Sequence, residues 1–87
     1  MYVCMVVRLK SKSCRGSLIV DISDDDGESV RNYHVSLVDN KIEETNTRKS
    51  RDITPLELMV GAIEISYRCK KWIVTLDGEY MEFVKEA

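Results

Sequence analysis

Apolar residues at helical spacing between residues 54 and 70 predict the main helix of the protein. Thr54 suits the N-cap, Pro55 suits the first helical position, and Glu57 can complete a capping box with Thr54. The apolar positions that follow recur every three or four residues, at Leu56, Met59, Val60, Ile63 and Tyr67. Because a second apolar stripe runs beside this one, the helix should be covered on more than one side.

The residues after this helix predict a strand and a tight turn. Residues 72–76 are rich in the β-branched and aromatic side chains that favour strands. Asp77-Gly78 then favours a two-residue hairpin. Its pairing would place side chains of both strands on one face, with Trp72 opposite Phe83 and Val74 opposite Met81.

The first half of the chain alternates in a way that predicts further strands, at residues 2–9, 17–22, 33–37 and 41–46. The first is apolar enough to lie buried on both faces, with a turn at residues 11–16, and the last is polar enough for a sheet edge. The sequence therefore predicts a single α+β domain, residues 1–87. It would contain a mostly antiparallel sheet of five or six strands, with one main helix (54–70) packed across it. In an alternative, residues 79–87 form a short helix instead of the last strand.

Composition is that of a soluble globular protein and narrows the function classes. The 87 residues are 44% hydrophobic and 32% charged, and the net charge of −2 excludes a strongly basic nucleic-acid binder. No apolar run approaches the ~20 residues of a membrane span, and the first residues do not fit a signal peptide. Three widely spaced cysteines, Cys4, Cys14 and Cys69, predict reduced structural thiols, and a cytoplasmic setting is expected.

Charge is segregated near the start of the chain. Residues 1–20 carry four bases and no acid, whereas residues 21–30 carry five acids and no base. One interpretation is a hairpin with complementary ends; the other is an acidic face for a basic partner. In the second interpretation the binding residues are Asp24, Asp25, Asp26 and Glu28.

One segment resembles a known family. Glu57–Glu64 on the predicted helix, followed by Lys70–Tyr80 on a strand, resembles the centre of the ribonuclease H fold, where a helix bearing a catalytic Glu precedes a strand ending in a catalytic Asp. The resemblance implies those roles for Glu57 and Asp77, and it places Asp21 near a third carboxylate if the family's first strand is the predicted second one. It further implies that Asp21, Glu57 and Asp77 share Mg²⁺ that activates a water for phosphodiester cleavage.

The primary expectation is nevertheless a small, non-enzymatic cytoplasmic protein that acts through protein–protein contact and needs no cofactor. Its size and charge are analogous to those of phage and mobile-element inhibitors of host defence complexes, so the expected partner is a protein with a basic, nucleic-acid-binding surface. Membrane binding and direct nucleic-acid binding are not expected. The first alternative is a ribonuclease H-like nuclease or an inactive relative, and the second is a structural homodimer formed through the helix face.

Overall fold

The computed structural model describes residues 6–84, and these form a nearly all-β protein. The α+β prediction of five or six strands around one long helix is therefore wrong. The elements in chain order are β1 (Val7–Cys14), β2 (Ser17–Asp24), β3 (Ser29–Ser36), β4 (Lys41–Glu44), β5 (Ser50–Asp52), α1 (Pro55–Val60), β6 (Ala62–Tyr67), β7 (Lys70–Thr75) and β8 (Tyr80–Val84). They make two antiparallel sheets, a five-stranded one in the order β1-β2-β3-β4-β5 and a three-stranded one in the order β6-β7-β8.

The five-stranded sheet follows the two-residue period of a sheet with one buried face. Leu18, Val20 and Ile22 of β2 point into the core, and the residues between them point outward. In β1 the same alternation appears, with Leu9 buried and Lys10 exposed. The predicted first strand therefore differs from β1, which continues to Cys14, while residues 2–5 lie outside the described residues. The predicted edge strand at 41–46 is instead covered by β5.

The predicted helix begins where expected but ends after six residues. Thr54 accepts a hydrogen bond from the Glu57 amide, and the Glu57 side chain accepts one from the Thr54 amide, so the capping box is confirmed. Gly61 then takes a left-handed conformation, with φ of 70°, and closes the helix. No helix in the described range has the length and apolar character needed to cross a membrane.

The segment after Gly61 is a strand because its residues alternate. Ile63 and Ile65 are buried, while Glu64, between them, and Ser66, after them, are exposed. β-branched Ile favours this pleated arrangement. Ile63 and Tyr67 therefore match the helical spacing only by coincidence, and residue 70, the predicted end of the helix, lies in β7.

Both sheets share one apolar core. It joins buried residues of the five-stranded sheet to those of β6 and β7, and Trp72 is the largest side chain that is fully buried within it. The indole Nε1 of Trp72 has no hydrogen-bond partner among the described residues. The core residues are Val7, Leu9, Leu18, Val20, Ile22, Val35, Ile42, Ile53, Ile63, Ile65, Trp72 and Val74.

The β7–β8 hairpin is confirmed, but its register differs by one residue from the prediction. The Thr75 amide donates to the Glu79 carbonyl, so the loop holds three residues, 76–78, and Gly78 has a φ of 95°. The Leu76 amide donates to the Gly61 carbonyl and therefore does not pair with Glu79. As a result Glu82, not Phe83, lies opposite Trp72.

The two cysteines in the described range are in different states. Cys14 is an exposed free thiol, whereas Cys69 is buried and disulfide-bonded. The expectation of reduced thiols is therefore wrong for Cys69. Because stable disulfides are rare in reducing compartments, this bond does not support the cytoplasmic setting, which stays a prediction.

Candidate interaction surface

The outer side of the three-stranded sheet carries an open apolar cleft. We call it the β7–β8 face and define it by the residues that line the cleft, whose volume is about 350 Å³: Ile73, Thr75, Glu79, Tyr80, Met81 and Phe83. The one-residue register difference creates this face, because it turns Met81 and Phe83 away from Trp72. Met81 is 63% exposed and Phe83 is 44% exposed.

The two sheets differ in what they show on their outer sides. On the five-stranded sheet, outward positions are polar or charged almost throughout, with Ile19 as the main apolar exception; in one row Lys12, Ile19, His34 and Glu43 follow one another across four strands. On the three-stranded sheet, the outward row instead runs from Glu64 through Ile73 to Met81. An antiparallel sheet with one solvated face normally follows the first pattern, and the three-stranded sheet departs from it by exposing apolar side chains.

Among residues 6–84, strand β8 is also a sheet edge without the usual protection. Natural proteins blunt exposed edges with Lys, with Pro or by keeping the strand short. Edge strand β1 carries Arg8, Lys10 and Lys12 on its exposed side, and edge strand β5 has only three residues. In β8 all five residues are exposed, and Glu82, its only charged residue, is tied to Lys70 at 3.0 Å.

A second group of exposed apolar residues belongs to α1. The helix buries none of its residues, and Leu56, Met59 and Val60 are all more than half exposed. The described residues therefore do not cover α1 on more than one side as expected, and a homodimer formed through the helix face stays a prediction. The helix lines neither of the two clefts described for this fold.

A second cleft, of about 280 Å³, lies between the two sheets and is lined from β3, β4, β5 and β6. Two of its charged side chains already have partners. Arg51 pairs with Glu57 at 2.7 Å, and Glu44 pairs with Arg31 at 3.2 Å. Its charges therefore serve mainly to hold neighbouring elements together.

The predicted acidic binding residues lie in the loop between β2 and β3. The Asp24 carboxylate accepts hydrogen bonds from the Asp26 and Glu28 amides at 3.0 and 2.9 Å, so it shapes the turn. Asp25, Asp26 and Glu28 are exposed. Their role in binding stays a prediction, because charge clustering in a turn of this kind is also what solvation alone produces.

The three carboxylates implied by the ribonuclease H resemblance lie on different elements. Asp21 lies on the outer side of β2 and accepts a hydrogen bond from the Ser29 hydroxyl at 2.6 Å, while Asp77 lies in the β7–β8 loop. Within residues 6–84 no three His, Cys, Asp or Glu side chains form a group that could hold a metal ion. The long helix on which the resemblance rested is also missing.

Glu57 has a structural role. Two oxygens of its carboxylate accept from Arg51, at 2.7 and 3.1 Å, and one also accepts from the Thr54 amide. The hydrogen bonds from Arg51, assisted by those from Thr54, lower the pKa of Glu57 to about 2. A carboxylate held in this way is ionised at neutral pH and is committed to joining β5 to α1.

No protein-family model, curated protein or solved structure matches this chain.

The sequence did not predict the β7–β8 face, because the predicted two-residue loop places Met81 and Phe83 on the same side of the sheet as Trp72. One signal was present nevertheless. Both sides of β8 carry apolar side chains, with Tyr80 and Val84 on one side and Met81 and Phe83 on the other. Either register therefore leaves an apolar pair on the outer side of the sheet.

Proposed function

We propose that this protein is a non-catalytic binding module that holds another protein against its β7–β8 face. The observation that carries the proposal is the exposure of Met81 and Phe83 beside Ile73, on the side of the sheet that faces away from the buried side chains of Trp72 and Val74. The class of function expected from the sequence is kept, and the proposed contact surface moves from the acidic loop to this face.

The layout of the face supports contact with a protein. Its centre is apolar, and its rim carries the charged side chains of Glu64, Lys71 and Glu79. Protein interfaces combine a desolvated apolar centre with a polar rim in this way, and aromatic residues and Met are enriched in them. Inhibition of a nucleic-acid-binding complex, the role suggested by size and charge, is one task that such a module would perform.

Site-specific photo-crosslinking in the native cells tests this proposal. A photoreactive phenylalanine analogue replaces either Met81 on the β7–β8 face or Asp26 in the acidic loop. We expect a discrete covalent adduct with another protein from position 81 and none from position 26. The reverse pattern would move the binding site to the acidic loop, and adducts from neither position would refute a protein-binding role for both surfaces.

A matched pair of variants tests whether binding depends on the β7–β8 face or on any exposed apolar side chain. Phe83→Ser and Ile19→Ser each remove one partly exposed apolar side chain, but Ile19 lies on the outer side of the other sheet. Combined with the photoreactive residue at position 81, Phe83→Ser should reduce the adduct severalfold, and Ile19→Ser should leave it unchanged. Equal losses from the two variants would contradict the proposal.

A further inference from the structure

We infer that the element bound by the β7–β8 face is an extended segment with an apolar side chain that enters the cleft and a Lys or Arg that meets Glu79. This inference rests on the proposed function and names the chemistry of its partner. Three observations carry it: the unpaired carboxylate of Glu79, the satisfied state of Lys71, and the open edge of β8.

Glu79 lies at one end of the cleft in a fixed position. Its amide donates to the Thr75 hydroxyl at 3.1 Å, and its carbonyl accepts from the Thr75 amide at 2.6 Å, so the backbone beneath the side chain is held. The carboxylate makes no ion pair within residues 6–84, and neither does that of Asp77 in the adjoining loop. This end of the cleft therefore offers uncompensated negative charge.

Lys71, the cation of the same rim, already has partners. Its ammonium lies 5.9 Å from the centre of the Phe83 ring and 4.0 Å from a Glu64 oxygen. The rim therefore carries two acids, Glu64 and Glu79, and one base, a formal charge of −1, and Asp77 in the adjoining loop adds a further negative charge. Complementary potentials favour a partner that brings positive charge, and they disfavour one that brings more carboxylates.

The edge of β8 favours an extended partner. In the described part of the chain, β8 pairs with β7 on one side and with no strand on the other. A segment added at such an edge gains main-chain hydrogen bonds, and its alternate side chains fall over the adjoining face. The β7–β8 loop beside this edge is anchored to β1, because the Ser11 hydroxyl donates to the Gly78 carbonyl.

Selection from a phage-displayed library of random peptides tests the inference. On the wild-type protein we expect enriched peptides that combine a large apolar residue with Lys or Arg one to three positions away. Glu79→Lys should weaken a selected peptide about tenfold at low salt and less at high salt. Glu28→Lys makes the same charge change in the β2–β3 loop and should leave affinity unchanged.

The outcomes separate this inference from the proposed function. Peptides that need Phe83 but carry no basic residue, or that are indifferent to Glu79→Lys, would overturn the inference and leave the proposed function standing. Peptides that are insensitive to Phe83→Ser would count against both. Self-association that Phe83→Ser abolishes, measured by analytical ultracentrifugation without peptide, would make a second copy of this chain the occupant and would also overturn the inference.

Discussion

Glu57 shows at the scale of a single residue how fold decides chemistry. The resemblance to ribonuclease H made it a metal ligand, but the chain places Arg51 and Thr54 around its carboxylate. A side chain whose lone pairs are already used by a guanidinium and a backbone amide has little left to offer a cation. Its low pKa therefore reports a structural ion pair, although perturbed carboxylates often mark functional sites.

Acid titration should reveal this ion pair. Glu57 has a pKa of about 2 in the folded protein, below its ordinary value of 4.5, so its stabilising effect is complete above about pH 4.5 and is lost as the pH falls through about 2. Arg51→Met removes the main cause of that shift. We expect it to lower the free energy of unfolding by less than about 1 kcal/mol at neutral pH, because the pair is partly exposed.

Urea unfolding between neutral pH and about pH 2 measures the effect. The difference between wild type and Arg51→Met should shrink towards the acid end, where Glu57 becomes protonated in both proteins. Lys12→Met is the matched control, since Lys12 makes no ion pair with the described residues. A deficit in Arg51→Met that stays constant with pH would contradict the assignment.

At the scale of elements, the residues that cap the start of α1 were predictable from the sequence, but the length of the helix was not. Thr54, Pro55 and Glu57 mark the start of α1 through local chemistry that any context would preserve. Helix α1 ends at Gly61. The apolar pattern that continues past Gly61 is compatible with a helix and with a strand, so the pattern alone does not predict this end. The core decides between them, because only a strand places both Ile63 and Ile65 beside Trp72.

The same limit applies to the candidate surface. Asp77-Gly78 identified the hairpin correctly, since the pair is a local signal. The register follows from a three-residue loop, in which the Gly78 amide donates to the Thr75 carbonyl and the Leu76 amide donates to the Gly61 carbonyl. An Asp-Gly pair fits a two-residue and a three-residue loop alike, so the pair alone does not assign the face that carries Met81 and Phe83.

Substitution at Gly61 tests whether the backbone conformation ends the helix. A Cβ at this position would meet no atom within 4 Å, so a variant pays only the cost of the left-handed conformation. We expect Gly61→Ala to lower the free energy of unfolding by about 1–2 kcal/mol. Gly61→Asn is the control and should lose clearly less, because Asn tolerates this conformation better. Thermal or urea unfolding measures both, and equal stability of the Ala variant and the wild type would contradict this role.

At the scale of the whole molecule, two sheets of different character share one core. The five-stranded sheet is buried on one side and mainly polar on the other, whereas the three-stranded sheet has apolar residues on both sides. This asymmetry separates the parts of the protein that stabilise from those available to bind. The carboxylates of Asp21, Glu57 and Asp77 belong to β2, to α1 and to the β7–β8 loop, respectively.

A Mg²⁺ titration followed by amide NMR shifts tests whether these three carboxylates are separate. We expect no common set of shifts at Asp21, Glu57 and Asp77, because the described residues contain no group of three metal-binding side chains. Weak, independent shifts in the acidic β2–β3 loop would agree with ordinary counterion attraction. Saturable shifts shared by all three carboxylates would contradict the structure and favour the nuclease alternative.

The three-residue β7–β8 loop has a consequence for how this protein can evolve. The length of this loop determines which side chains of β8 face outward, although Leu76, Asp77 and Gly78 do not line the cleft. A mutation that moved the hairpin by one position would withdraw Met81 and Phe83 and display their neighbours, while every codon of the binding strand stayed the same. Under the proposed function, the choice of partner would therefore depend on residues of the turn as well as on residues of the cleft.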